Sequence, residues 1–137
     1  MLSMDDQYKI AIELDDNRDT KYMKYFKIDE FNCKCCGKNE IKQELIDDLE
    51  HARELAGIPF VINSGYRCPK HNKEVGGKTN SSHLQGLAVD IKAVNSRDKY
   101  LILKSLIISG FNRIGIGSDF IHCDIDNTKD IQVIWTY

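Results

Sequence analysis

Two stretches, GLAVDIKA at residues 86–93 and FIHCDID at 120–126, constrain the fold more than any other part of the chain. In the first, Leu87, Val89 and Ile91 alternate with Ala88 and Asp90; in the second, Ile121, Cys123 and Ile125 alternate with Phe120, His122 and Asp124. Period-two alternation sends each set to its own face of a strand. Each strand therefore has one apolar face that must be covered and one face bearing histidine or aspartate. The cover is also visible. From Glu40 to Ala56, apolar Ile41, Leu45, Leu49, Ala52 and Leu55 recur at spacings of three and four, which predicts an amphipathic helix. Asn39 is its expected N-cap and Gly57 its stop. A second long helix is predicted from a Ser96 cap through Ser109, ended by Gly110.

The remaining segments are shorter. YKIAIEL (8–14) reads as a strand and DDNRDT as a loop; Phe60–Ile62 reads as a strand ending in a Ser-Gly turn. CPKHNKEVGG opens with a proline suited to a first helical turn and closes on two glycines. Strands are expected around Arg113–Ile116, Phe120–Ile125 and Gln132–Tyr137, with DNTKD as the turn between the last two. The pattern predicts an α+β fold, a small antiparallel sheet with helices packed on one face, forming one domain across residues 1–137.

Composition narrows the function. Apolar residues at 42% and charged residues at 29% describe a globular chain, and a net charge of −2 gives no basis for nucleic acid as a partner. The longest apolar run, YLILKSLIISG, is broken by Lys104 and Ser105 and falls short of the ~18 residues of a membrane span. The N-terminus lacks a basic region followed by an apolar core, so the expectation is synthesis in the cytoplasm without a signal peptide, as a monomer. Five cysteines, an odd number, suit reduced thiols. CKCC places Cys33, Cys35 and Cys36 within four positions, like half of a zinc site, with only Cys68 and Cys123 elsewhere to complete it. Free thiols are the preferred reading.

The polar strand faces carry the chemistry. His83 lies in a loop before the Asp90 strand, where small Ala88 and Gly86 permit close approach, and His122 shares its face with Asp124. Two imidazoles and one carboxylate suit Zn²⁺ and leave a fourth tetrahedral position open. His51 and His71 have no partner by spacing and are expected to face solvent. Cys123 adjoins His122, but adjacent strand residues face opposite ways, which argues against a cysteine–histidine nucleophile pair.

The segments INSGYRCPKHNKEVGG, SSHLQGLAVDI, FIHCDID and the closing VIWTY resemble the zinc D-alanyl-D-alanine carboxypeptidase family over about residues 31–137, with S-x-H-x-x-G-x-A-x-D running from Ser81 to Asp90. That family includes D,D-dipeptidases and phage L-alanyl-D-glutamate endopeptidases, and Hedgehog domains share its fold and zinc triad. The resemblance implies one catalytic zinc held by His83, Asp90 and His122. It also implies Arg67 as the group that polarises the substrate carbonyl or holds its carboxylate, with Tyr66 and Ser81 as substrate contacts. Asp119, three positions before His122, is the preferred general base. Strand parity opposes it unless Gly117 and Ser118 form a turn or bulge; Asp124, on the correct face, is the alternative as base or as the residue orienting a ligand. Trp135 and Tyr137 are expected to pack on an edge strand. The implied activity is hydrolysis of a peptidoglycan stem peptide beside a D-amino acid, of the D-Ala-D-Ala carboxypeptidase type. The alternatives are an L-Ala-D-Glu endopeptidase (endolysin) and a zinc-binding recognition module without hydrolysis. The expected place of action is the cell wall, reached by phage release or from a virion.

Overall fold

The computed structural model describes residues 23–137; the predicted strand at 8–14 and the loop after it lie outside the described residues. Eight elements follow a short 3-10 turn at Ile28–Phe31: α1 (Gln43–Ala56), β1 (Ile62–Ser64), α2 (Pro69–Glu74), β2 (Ala88–Lys92), α3 (Ser96–Ile108), β3 (Arg113–Ile116), β4 (Phe120–Asp124) and β5 (Val133–Thr136). A second 3-10 turn, Ser82–Gln85, precedes β2.

Helix α1 is shorter than its apolar pattern predicts. It starts at Gln43, because Asn39 is occupied elsewhere: its side chain accepts from the Ile41 amide and donates to the Ile28 carbonyl and Asn32. The helix ends at Gly57 as expected. In α3 the cap is Asn95, whose side chain accepts from the Asp98 amide; Ser96 is the first helical residue. Leu45, Leu49 and Ala52 of α1 and Ile102 and Leu106 of α3 are fully buried against Val89, Ile91, Ile114, Ile121 and Cys123 of the sheet. Truncating any one of the large aliphatic side chains to Ala costs about 2–5 kcal/mol. Among the described residues, no helix is long and apolar enough to cross a membrane.

The sheet order is β1-β2-β4-β3-β5. The pairs β1–β2, β2–β4 and β3–β4 are antiparallel, but β3–β5 is parallel, so the sheet is mixed and not wholly antiparallel as the sequence predicts. The reason is topological. A chain leaving β4 must return opposite to it, and both edges of β4 are already taken by β2 and β3. The free edge is that of β3, where the returning strand runs parallel. DNTKD is therefore part of a crossover and not a hairpin turn.

With Val89, Ile91, Ile121, Cys123 and Ile114 facing the helices, the opposite face carries Asp90, His122, Asp124, Arg113 and Gly115. Register aligns Asp90 with His122, and His122 with Gly115. The strand alternation thus delivers its polar residues to one uncovered face.

Candidate metal centre and active-site cavity

His83, Asp90 and His122 each present a donor atom within 4.8 Å of the other two. His122 Nδ1 is 2.9 Å and His83 Nε2 3.3 Å from the same Asp90 oxygen, Oδ1. The outward nitrogens are fixed. His83 Nδ1 lies 2.8 Å from the Gly65 carbonyl, which can only accept, so the proton sits on Nδ1 and the Nε2 lone pair faces the centre. His122 Nε2 lies 2.7 Å from Asp124 Oδ2. Outer partners of this kind set the tautomer and ring orientation of metal-binding histidines.

Three elements bring the donors together. Asp90 and His122 are cross-strand neighbours on β2 and β4. His83 arrives on the 3-10 turn, whose start is held by Ser81 accepting from the His83 amide. Gly86 closes that turn at φ 69, and a Cβ there would overlap the Glu40 carbonyl oxygen. The close approach expected at Gly86 is therefore made with the segment leading into α1, and the Lys42 amide bonds to the Gly86 carbonyl.

Charges at the centre reinforce one another. Burial opposes ionisation of Asp90, but the hydrogen bonds to His122 and His83 outweigh it and hold the carboxyl well below the usual range. Burial would lower the His122 pKa; hydrogen bonds to Asp124 and Asp90 outweigh it and raise it. Asp124, 1% exposed, is also shifted down: burial opposes, and the His122 hydrogen bond prevails. Its Oδ1 accepts from Arg113 Nε at 2.7 Å and from the Asp126 amide at 3.1 Å.

The centre opens into a cavity of about 530 Å³ lined by Arg67, Ser81, His83, Asp90, His122, Asp124 and Trp135, among others. Arg67 is locked at three points: Nε to Ser64 Oγ at 3.0 Å, Nη1 to Asn72 Oδ1 at 3.3 Å, and Nη2 to Asp90 Oδ2 at 3.3 Å. Lys78, Arg113 and Lys129 add cationic side chains to the lining. Trp135 and Tyr137, expected on an edge, line the cavity instead. The parallel register sets Trp135 beside Gly115, where a Cβ would lie 2.5 Å from the indole nitrogen, so the missing side chain lets the ring lie over the sheet 5.5 Å from His122.

Two expected residues are not brought to the site. Asp119 is exposed on the β3–β4 turn and does not line the cavity. The turn at Gly117–Ser118 exists, but β4 pairs in unbroken register with β2, and the Ala93 amide continues the ladder to the Asp119 carbonyl. Asp119 itself lies in that turn, just outside β4, and its side chain is exposed there. Tyr66 is buried and absent from the lining; its backbone amide bonds to Phe31, and burial and a hydrogen bond with Glu40 raise its pKa.

Other contributors have little or no signature in the sequence. Ser82 is buried and donates to Asp126 Oδ2 at 2.7 Å while accepting from Lys129 Nζ at 2.9 Å, which pins the crossover loop to the His83 turn. Arg113 is detectable only by parity with Gly115. Ser64 and Asn72 carry no local signal.

Two imidazole nitrogens and a carboxylate oxygen, with outer hydrogen-bond partners and an open cavity above them, form the donor set that suits a catalytic zinc ion. The sequence matches the family Peptidase M15 over residues 24–124, and the chain belongs to that family. It is thus a hydrolase of the zinc metallopeptidase class. No curated protein matches the chain.

Proposed function

We propose that this protein hydrolyses a peptidoglycan stem-peptide bond next to a D-amino acid, as a D,D-carboxypeptidase acting at the cell wall. The observation that carries the reading is the Arg67 fork, fixed beside the His83–Asp90–His122 centre in a cavity whose other cations are Lys78, Arg113 and Lys129. Asp90 and Asp124 are the carboxylates lining that cavity among the described residues, and both are already hydrogen-bonded. An anionic substrate end, such as a terminal D-alanine carboxylate, meets complementary charge there.

His83, Asp90 and His122 would hold a zinc ion, which when bound would supply Lewis acidity and lower the pKa of water to about 7. The protein's own groups do the rest. Arg67 donates to the substrate's carboxylate or to the oxygen of the scissile carbonyl, where a fixed donor contributes about 3 kcal/mol as negative charge develops. Asp124 accepts from His122 Nε2 and holds the ring in place. Trp135 walls the cavity beside His122 and limits water there.

Mass spectrometry of muropeptides digested with the zinc-loaded protein tests this. Release of free D-alanine from pentapeptide stems, abolished by a chelator and restored by zinc, is expected. Cleavage between L-Ala and D-Glu would replace the carboxypeptidase reading with an endopeptidase. Full zinc content with no cleavage of several muropeptide types would make the protein a recognition module.

A further inference from the structure

Ligand chemistry is concentrated a second time around the segment that carries Arg67. Cys33, Cys35 and Cys36 follow the first 3-10 turn, and Cys68 caps the N-terminus of α2, yet the four sulfurs all lie within 4.8 Å of one another. Cys35 Sγ is 3.7 Å from Cys33 Sγ and 3.3 Å from Cys68 Sγ, and none of the four is in a disulfide. Thiolates at about 2.3 Å around a tetrahedral zinc have sulfur–sulfur edges of about 3.8 Å. The cluster is therefore close to the size such an ion requires.

The backbone is shaped to match. Cys33 and Cys36 have the C-x-x-C spacing of zinc-binding turns. The Cys33 amide donates to the Lys38 carbonyl at 2.7 Å and the Gly37 amide to the Cys33 carbonyl at 2.9 Å, with Gly37 at φ 73 completing the turn. Amides also point at sulfur: Cys68 N–H to Cys33 Sγ and His71 N–H to Cys68 Sγ, both at 3.4 Å. Such donors stabilise thiolate charge.

We propose that Cys33, Cys35, Cys36 and Cys68 bind a second zinc ion, structural in role and separate from the His83–Asp90–His122 centre. Four protein thiolates leave no open coordination position, which is the arrangement of a structural site. The ion ties the 33–38 loop to the start of α2. The Tyr66 amide already bonds to the Phe31 carbonyl at 2.9 Å, so the ion would brace the Tyr66–Arg67–Cys68 segment from its other end. Arg67, which must aim its fork at the cavity, is the residue this clamp steadies. The rival donors nearby are His71 and Glu74, which share Cys35 in a three-residue cluster. His71 is consequently half-buried beside the cysteines, not solvent-facing as its sequence position suggests.

The test is metal content by atomic emission on the full chain purified under reducing conditions, with cobalt substitution as a spectroscopic readout. Wild-type protein is expected to carry two equivalents of zinc. Cys36→Ser and His122→Ala should each lose one, and the cobalt-loaded His122→Ala variant should keep the near-ultraviolet sulfur-to-cobalt band that Cys36→Ser lacks. If Cys36→Ser fails to fold, a mercurial titration of the wild-type chain replaces it, with one zinc equivalent expected to be released as the thiols react. A single equivalent that His122→Ala abolishes, a Cys35–Cys68 disulfide with no second ion, or loss of the second ion in His71→Ala but not in Cys36→Ser would each overturn the four-cysteine site.

Discussion

The histidine–aspartate centre and the cysteine cluster flank the same short segment, Tyr66–Cys68, yet they are built in opposite ways. Asp90 and His122 sit on paired strands in unbroken register, and each outward histidine nitrogen has its own partner. The cysteines occupy a loop and a helix cap, and the sulfurs are held mostly by one another and by a few amides. The first site is pre-formed by the sheet and the His83 turn, so an ion bound there would add chemistry more than stability. The second lacks such a scaffold, so there the binding free energy of an ion is folding free energy.

The comparison breaks most sharply at the ligands. His122→Ala should reduce muropeptide hydrolysis by more than about a hundredfold, beyond what loss of an outer partner typically costs, with a smaller drop in melting temperature than Cys36→Ser. Cys36→Ser should do the reverse, with the larger drop in melting temperature and, through a less firmly held Arg67, only a smaller loss of turnover below it. Equal effects of the two on melting would erase the distinction. Arg67→Lys comes next. Lysine lacks the planar fork that bonds Ser64, Asn72 and Asp90 together, and kcat should fall about 10²-fold with zinc content unchanged. A change confined to KM would instead assign Arg67 to binding alone.

Asp124 and Asp119 sharpen the picture of the sheet site. Asp124→Asn should weaken zinc binding about 10–100-fold, as loss of a partner to a metal-binding histidine does. Asp119→Asn, altering an exposed turn residue outside the cavity, should change turnover by less than about twofold, within the small effects usual for surface substitutions. A large loss of kcat in Asp119→Asn with zinc retained would make it the base after all. The smallest effect is expected at Asp126, whose carboxyl is held at about 2, where burial is outweighed by hydrogen bonds from Thr128 and Ser82. An unfolded aspartate titrates near 3.9. A lowered folded value means the stabilisation is complete above about pH 4 and lost as pH falls through about 2. The gap in urea midpoint between wild type and Asp126→Asn should therefore narrow from pH 6 toward pH 2; a constant gap would show that the charge is not responsible.

Much of the candidate metal site is legible in the residue pattern itself. Alternation in 86–93 and 120–126 puts Asp90 and His122 opposite the apolar face, and their convergence in register follows that pattern. The helical spacing of Leu45, Leu49 and Ala52 identifies the layer covering the other side. Parity argues against Asp119 only in an unbroken strand, and in the fold Asp119 lies in the turn that precedes β4. These inferences work because side-chain direction in a strand or helix is a local property, repeated every few residues.

What only the tertiary structure decided depends on chain segments meeting. The parallel placement of β5 was set by which sheet edge was free, and it brought Trp135 and Tyr137 to the cavity. Asn39 left the helix cap for the Ile28 carbonyl, and Tyr66 turned into the interior. Cys68 joined Cys33, Cys35 and Cys36 because the Phe31–Tyr66 hydrogen bond and the packing around it draw two distant loops together. Residue order fixes which face a side chain takes on its own element; only the packing of elements fixes which other side chains it meets.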